Sequence, residues 1–122
     1  MKKVFALLVS IIVVFSLTIS VAAVAPKAVS DVDATIRANS FARIGSSFTM
    51  ESGDTVTINC TYSPKDADVD FGLITPENKF RYLSGKSGSC KFAIEIPETG
   101  TYYFAVNNNA NETVRVLGFV YY

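Results

Sequence analysis

Two cysteines, three alternating aspartates and one serine–lysine pair are the groups in this sequence whose types and spacing could do chemistry. Cys60 and Cys90 are its two thiols, and with no histidine in 122 residues there is no imidazole to activate either as a nucleophile. Both sit on the apolar side of alternating runs, so in an exported chain they are expected to form a disulfide, closing a loop of about 30 residues worth roughly 3–4 kcal/mol. Two separate buried thiols are the alternative, because a shared inward direction does not set the distance between their Cα atoms. Asp66, Asp68 and Asp70, followed by Glu77, resemble the start and end of a calcium loop. Phe71, however, stands where that loop needs glycine. An extended backbone would instead align the three carboxylates on one face, for calcium to bridge or water to solvate. The segment is read as an exposed acidic edge, with these three as the only calcium candidates and no metal or other cofactor assigned. Ser84-x-Lys86 has the letters of a hydrolytic dyad, but it lies in Ser-Gly-Lys-Ser-Gly-Ser with no oxyanion donor nearby and reads as a flexible loop. The sequence also lacks tryptophan, the usual sugar platform. No catalytic residue is assigned, and the chain is expected not to be an enzyme.

The elements that must position these groups are strands. Thr55–Tyr62 places Val56, Ile58, Cys60 and Tyr62 on one face and Thr55, Thr57, Asn59 and Thr61 on the other. From Cys90 to Val106 two further alternating runs meet at a Pro/Gly corner. Weaker signals mark strands within Thr35–Ile44, Ser47–Met50, Val69–Ile74, Phe80–Tyr82 and Glu112–Tyr122, separated by turn chemistry at Ser52–Asp54, Pro76–Lys79 and Asn107–Asn111. No amphipathic helix and no repeat is seen. About eight short strands indicate an all-β fold, a single antiparallel β-sandwich of immunoglobulin-like or jelly-roll-like type after an N-terminal signal helix.

Residues 1–23 carry Lys2-Lys3, a long apolar run and a small-residue end, the pattern of a secretory signal cleaved near Ala23; the run is also long enough to serve as an uncleaved anchor. Residues 24–34 read as a flexible start and 35–122 as the sandwich. Eleven basic residues balance eleven acidic ones, and loss of Lys2 and Lys3 leaves the mature part near −2, so no nucleic-acid partner and no membrane span in the mature chain are expected. The location implied is extracellular, by bacterial export. Asn59-Cys60-Thr61 and Asn111-Glu112-Thr113 match the glycosylation acceptor pattern and are incidental in a bacterial chain.

Glu98-x-Gly100-x-Tyr102-x-Phe104 resembles the tyrosine corner of immunoglobulin-type sandwiches, in which a tyrosine hydroxyl bonds backbone a few residues upstream. Ile96-Pro97-Glu98-Thr99-Gly100 also resembles a cell-wall sorting signal, but no apolar span or basic end follows it. The patterns GDTVTINCTYSP, DVDFGLITP, ETGTYYFAVNN and VRVLGFVYY resemble small secreted β-sandwich proteins of Gram-positive bacteria, and are similar to GOLD-type sandwiches and bacterial pre-peptidase C-terminal domains. That resemblance implies a non-enzymatic module binding a protein, glycan or surface, and carries over no binding residue. In the last strand Leu117, Phe119 and Tyr121 oppose Val116, Val120 and Tyr122, so both faces are apolar. Either the N-terminal segment covers the first set, or it forms an exposed surface for self-association or a partner, which strand addition at an edge would also permit. A carbohydrate-binding module using exposed tyrosines such as Tyr103 or Tyr122 is the other reading, with Tyr82 and Tyr121 also able to stack on a sugar or contact a protein, and a small hydrolase is the outsider.

Overall fold

Residues 28–122, the part described by the computed structural model, form eight strands: β1 Val29–Ile36, β2 Ser40–Met50, β3 Thr55–Ser63, β4 Val69–Ile74, β5 Phe80–Ser84, β6 Ser89–Glu95, β7 Gly100–Asn108 and β8 Val114–Tyr121. All pairings are antiparallel. Val29 faces Tyr121, Phe48 faces Tyr102, Val56 faces Ile94 and Ile74 faces Phe80, so the chain is one long hairpin about the turn after Ile74. Pairing of β3 with β8 and of β4 with β7 then rolls that hairpin into two four-stranded sheets, β1-β8-β3-β6 and β2-β7-β4-β5. This strand order is that of a jelly roll, which decides between the two architectures expected.

The inner faces meet in one core. Val56, Ile58 and Tyr62 of β3 and Val114, Val116 and Val120 of β8 lie against Val69, Phe71 and Leu73 of β4 and Tyr102, Phe104 and Val106 of β7, all buried. Two-sided alternation, polar out and apolar in, is what permits this packing.

Two expectations for the N-terminal part need correction. The flexible segment assigned to residues 24–34 ends earlier, because β1 starts at Val29 and buries Val32 and Ile36. The small Ser30 and Ala34 at the other inward positions leave that alternation weak in the sequence. The single strand expected over Thr35–Ile44 is broken by a turn at Ala38 and Asn39, where Asn39 takes φ 51°, and the rest joins Ser47–Met50 in one strand, β2. A bulge links the two halves: between the pairs Ile44–Phe104 and Phe48–Tyr102 the β2 side carries three residues and β7 one. The signal helix, the leader of residues 1–23 and its cleavage near Ala23 lie outside the described residues. Among those described, no helix is long and apolar enough to cross a membrane.

Candidate binding surface

β8 is a central strand, paired on one side with β1 and on the other with β3, so its backbone hydrogen bonds are committed to the sheet. Its outward positions are Arg115, Leu117, Phe119 and Tyr121. Leu117 and Phe119 are each 44% exposed, and the Tyr121 ring lies 6.2 Å from that of Phe119. The register sets their neighbours: Asp33 and Thr61 flank Leu117, Asp31 and Asn59 flank Phe119, and Val29 and Thr57 flank Tyr121. Arg115 donates to Asp33 Oδ1 from Nη2 at 2.8 Å and from Nε at 3.1 Å. Between Leu117 and Phe119, Gly118 takes φ 152°, and a Cβ there would lie 2.2 Å from the Asn59 carbonyl oxygen and 2.6 Å from Cys60 Cα. Only glycine fits. A shallow groove of about 520 Å³ crosses the strip at this point, open to solvent. The described N-terminal residues do not cover it, since they lie beside β8 as β1 in the same sheet.

The outer face of the other sheet carries Tyr82 and Tyr103, two of the tyrosines expected to be able to stack on a sugar, together with Phe41 and Phe80, which the sequence did not mark. Gly72 of β4 and Ala105 of β7 are paired neighbours and leave a low floor beside Tyr82 of β5. Phe41 meets Phe80 edge-on at 4.9 Å, Phe80 stacks on Tyr82 at 4.9 Å, and the Arg43 guanidinium sits 4.4 Å over the Tyr103 ring. Ile74 and Ala105 are buried beneath them, while Tyr82 is 54% exposed. The alternation Phe80-x-Tyr82 opposite Gly72 was the available signal. Tyr122 is not a surface group: it stacks on Phe48 at 4.3 Å, and its hydroxyl is 2.8 Å from that of Ser30.

No family model and no curated protein matches the chain. Among solved structures, the chain is similar to the crystal structure of Aeromonas hydrophila PliG, a periplasmic lysozyme inhibitor of g-type lysozyme. The TM-score is 0.54 at 14% identity, over 76% of this chain and 84% of that one. At that identity the likeness is one of fold.

The chemistry-bearing residues fall elsewhere. Cys60 and Cys90 do stand directly opposite each other, on β3 and β6, and both are buried, but the expected disulfide is not formed and they are free thiols. The register explains this. Tyr62 N–H donates to the Gly88 carbonyl, two residues along the same ladder, which makes Cys60–Cys90 a hydrogen-bonded pair. Such pairs hold their Cα atoms about 5.5 Å apart, within the range of disulfides, but their side-by-side Cβ atoms must be drawn closer to reach the ~3.8 Å a disulfide adopts. Burial pushes the Cys60 thiol up to about 11 despite a hydrogen bond from the Phe119 backbone, and burial, then Cys60 and Asp70, push Cys90 to about 12.

Asp66, Asp68 and Asp70 do not share one strand face: β4 begins at Val69, Asp66 and Asp68 are exposed before it, and the buried Asp70 accepts from Ser84 Oγ at 2.6 Å and Asn109 Nδ2 at 3.0 Å. No group of three or more His, Cys, Asp or Glu among the described residues is placed to hold a metal ion. Ser84 thus donates its hydroxyl proton to Asp70 rather than facing a base. At the corner, Tyr102 is 1% exposed and its hydroxyl donates to the Glu98 carbonyl at 2.6 Å, while Gly100 lies against Pro76 with no room for a Cβ. The sorting-signal letters are absorbed there, with Thr99 Oγ1 accepting from Ser52 N–H at 3.0 Å.

Proposed function

We propose that this chain is an exported, non-enzymatic module that binds another protein through the outer face of sheet β1-β8-β3-β6. The observation that carries the reading is the exposed Leu117–Phe119 pair at the centre of that sheet. Large apolar groups on a central strand gain nothing from the fold by facing water, and a flanking polar rim of Asp, Asn and Thr is the usual frame of a docking patch. Because β8 has both neighbours, the docking is face-on rather than strand addition to β8 itself. Among the described residues, burial raises both thiols above the ordinary range and the Ser84 hydroxyl donates to Asp70, so none of the three groups singled out for chemistry is set up as a nucleophile. A fold shared with an inhibitor that acts on an enzyme by binding it supports the same class, and its periplasmic location accords with the leader pattern.

Immobilised full-length chain and its Phe119→Ser variant, exposed in parallel to g-type lysozyme and to the extracellular proteins of the producing cells, test this. The wild type should retain a partner that the variant holds at least about tenfold more weakly, as for a central apolar anchor, while circular dichroism stays unchanged. If sedimentation shows wild-type dimers that Phe119→Ser abolishes, the partner is a second copy. Equal retention by both proteins, or loss of folding in the variant, overturns the reading.

A second reading has one observation of its own. Tyr82, stacked on Phe80 and half open to solvent, is the sugar platform this surface offers, the best placed of the tyrosines expected. Polysaccharide binding lost on Tyr82→Ala but kept in Phe119→Ser would favour it.

A further inference from the structure

We propose that the groove over Gly118 receives a lysine or arginine side chain of the protein partner, with its carbon stem between Leu117 and Phe119 and its cation on Asp31. The inference rests on the protein-docking reading above and specifies what the partner presents. Asp31 and Asp33 both border the strip on β1, but they differ in what they hold. Asp33 is bonded twice by Arg115, whereas Asp31, exposed and opposite Phe119, has no hydrogen bond or ion pair among the described residues. The groove therefore joins an apolar channel, a phenyl ring and one available carboxylate.

Each part selects the same ligand. Methylene stems of Lys and Arg cover apolar walls while the charged head stays at the rim. A cation near Phe119 is attracted by the ring quadrupole and by the carboxylate together. A wholly apolar segment would bury the Asp31 carboxylate with nothing to replace its water, and an acidic segment would be repelled by it. The nearest other cations do not compete. Arg115 is occupied by Asp33, and Lys91 stands beyond Asn59 on β6, on the far side of Phe119 from Asp31. Gly118 lines the channel between Leu117 and Phe119, and its closeness to β3 backbone keeps that position without a side chain.

The test titrates isotope-labelled full-length chain with N-acetyl-lysine methylamide and with its uncharged norleucine counterpart, at low and at raised salt. Lysine should shift the amides of Asp31, Leu117, Gly118 and Phe119, bind more tightly than norleucine, and weaken as salt screens the pair. Asp31→Asn should weaken lysine binding about two- to fivefold, the range for a partly exposed cation contact, and Asp33→Asn should leave it unchanged. Norleucine binding as well as lysine, shifts centred on other carboxylates, or no effect of Asp31→Asn overturns the proposal; the lysine–norleucine comparison on wild type decides it even if a variant misfolds. The two readings fail separately. A protein partner lost on Phe119→Ser but indifferent to Asp31→Asn and salt keeps the docking face and removes the cation site, whereas lysine binding without any docked partner does the reverse.

Discussion

Asn108 ties together three segments at one end of the sandwich. It is fully buried, its Nδ2 donates to the carbonyls of Ile36 at 3.1 Å, Arg37 at 3.0 Å and Glu112 at 2.9 Å, and its Oδ1 accepts from Ala110 N–H at 2.9 Å. The β1–β2 turn and the β7–β8 turn thus share one amide. Asn108→Ala leaves those groups without partners in a closed space, and should cost about 2–4 kcal/mol, measured as a lowered denaturant midpoint. The cysteines act by contrast through being inert. Their folded values of about 11 and about 12 lie above the ordinary 9.0, so the unfolded chain loses these protons first. Their contribution to stability is full below pH 9 and is lost as pH rises from there through 11 and 12. At about pH 8 the Cys60 thiolate population is some 100-fold below that of an ordinary thiol. Iodoacetamide should leave the native chain unmodified and should add two groups, without reductant, once denaturant is present; addition of the two groups only after prior reduction would show a disulfide instead.

At the scale of elements, the corner before β7 shows how one tyrosine sets where a strand begins. Tyr102 lies on the inner face, and its reach back to Glu98 closes the turn that brings β7 out of β6. Tyr102→Phe keeps the ring and removes the bond, leaving the Glu98 carbonyl short of a partner, and a stability loss of about 0.5–1.5 kcal/mol is expected in urea unfolding. An unchanged midpoint would mean that water replaces the hydroxyl at no cost. The corner was legible because its letters and its geometry are both local. β1 was not, since the small Ser30 and Ala34 fill inward positions and Val29 lies exposed on the other phase, leaving Val32 and Ile36 alone to carry the apolar period. β2 was legible only as two pieces: Ala42, Ile44, Phe48 and Met50 keep one inward phase, but the bulge leaves Gly45, Ser46 and Ser47 exposed between them, a polar gap in the apolar period.

For the whole molecule, the unit of organisation is the single hairpin whose two arms pair along their length and then roll. That path puts β8, last in the chain, between β1 and β3, and so turns its second apolar side into the middle of an exposed face. The two-sidedness of β8 was visible in Leu117, Phe119 and Tyr121 alternating with Val116 and Val120. Their flanking by Asp31 and Asp33, some 85 residues away in the chain, was not, because only the β1–β8 register makes them neighbours.

Alternation with period two is a local property of the backbone, and it alone determined the all-β class and which residues of β3, β6, β7 and β8 point inward; the lack of histidine is a matter of composition. Pairing partners and register are non-local. They decided that two inward cysteines meet at a hydrogen-bonded position as free thiols, and that Asp70 is satisfied by Ser84 and Asn109 rather than joining Asp66 and Asp68. They also gathered Phe41, Phe80 and Tyr82 over the glycine and alanine of two other strands. A strand's sequence fixes its two faces, but what lies across each face depends on strands far away in the chain, and that arrangement exists only once the hairpin has rolled into two sheets.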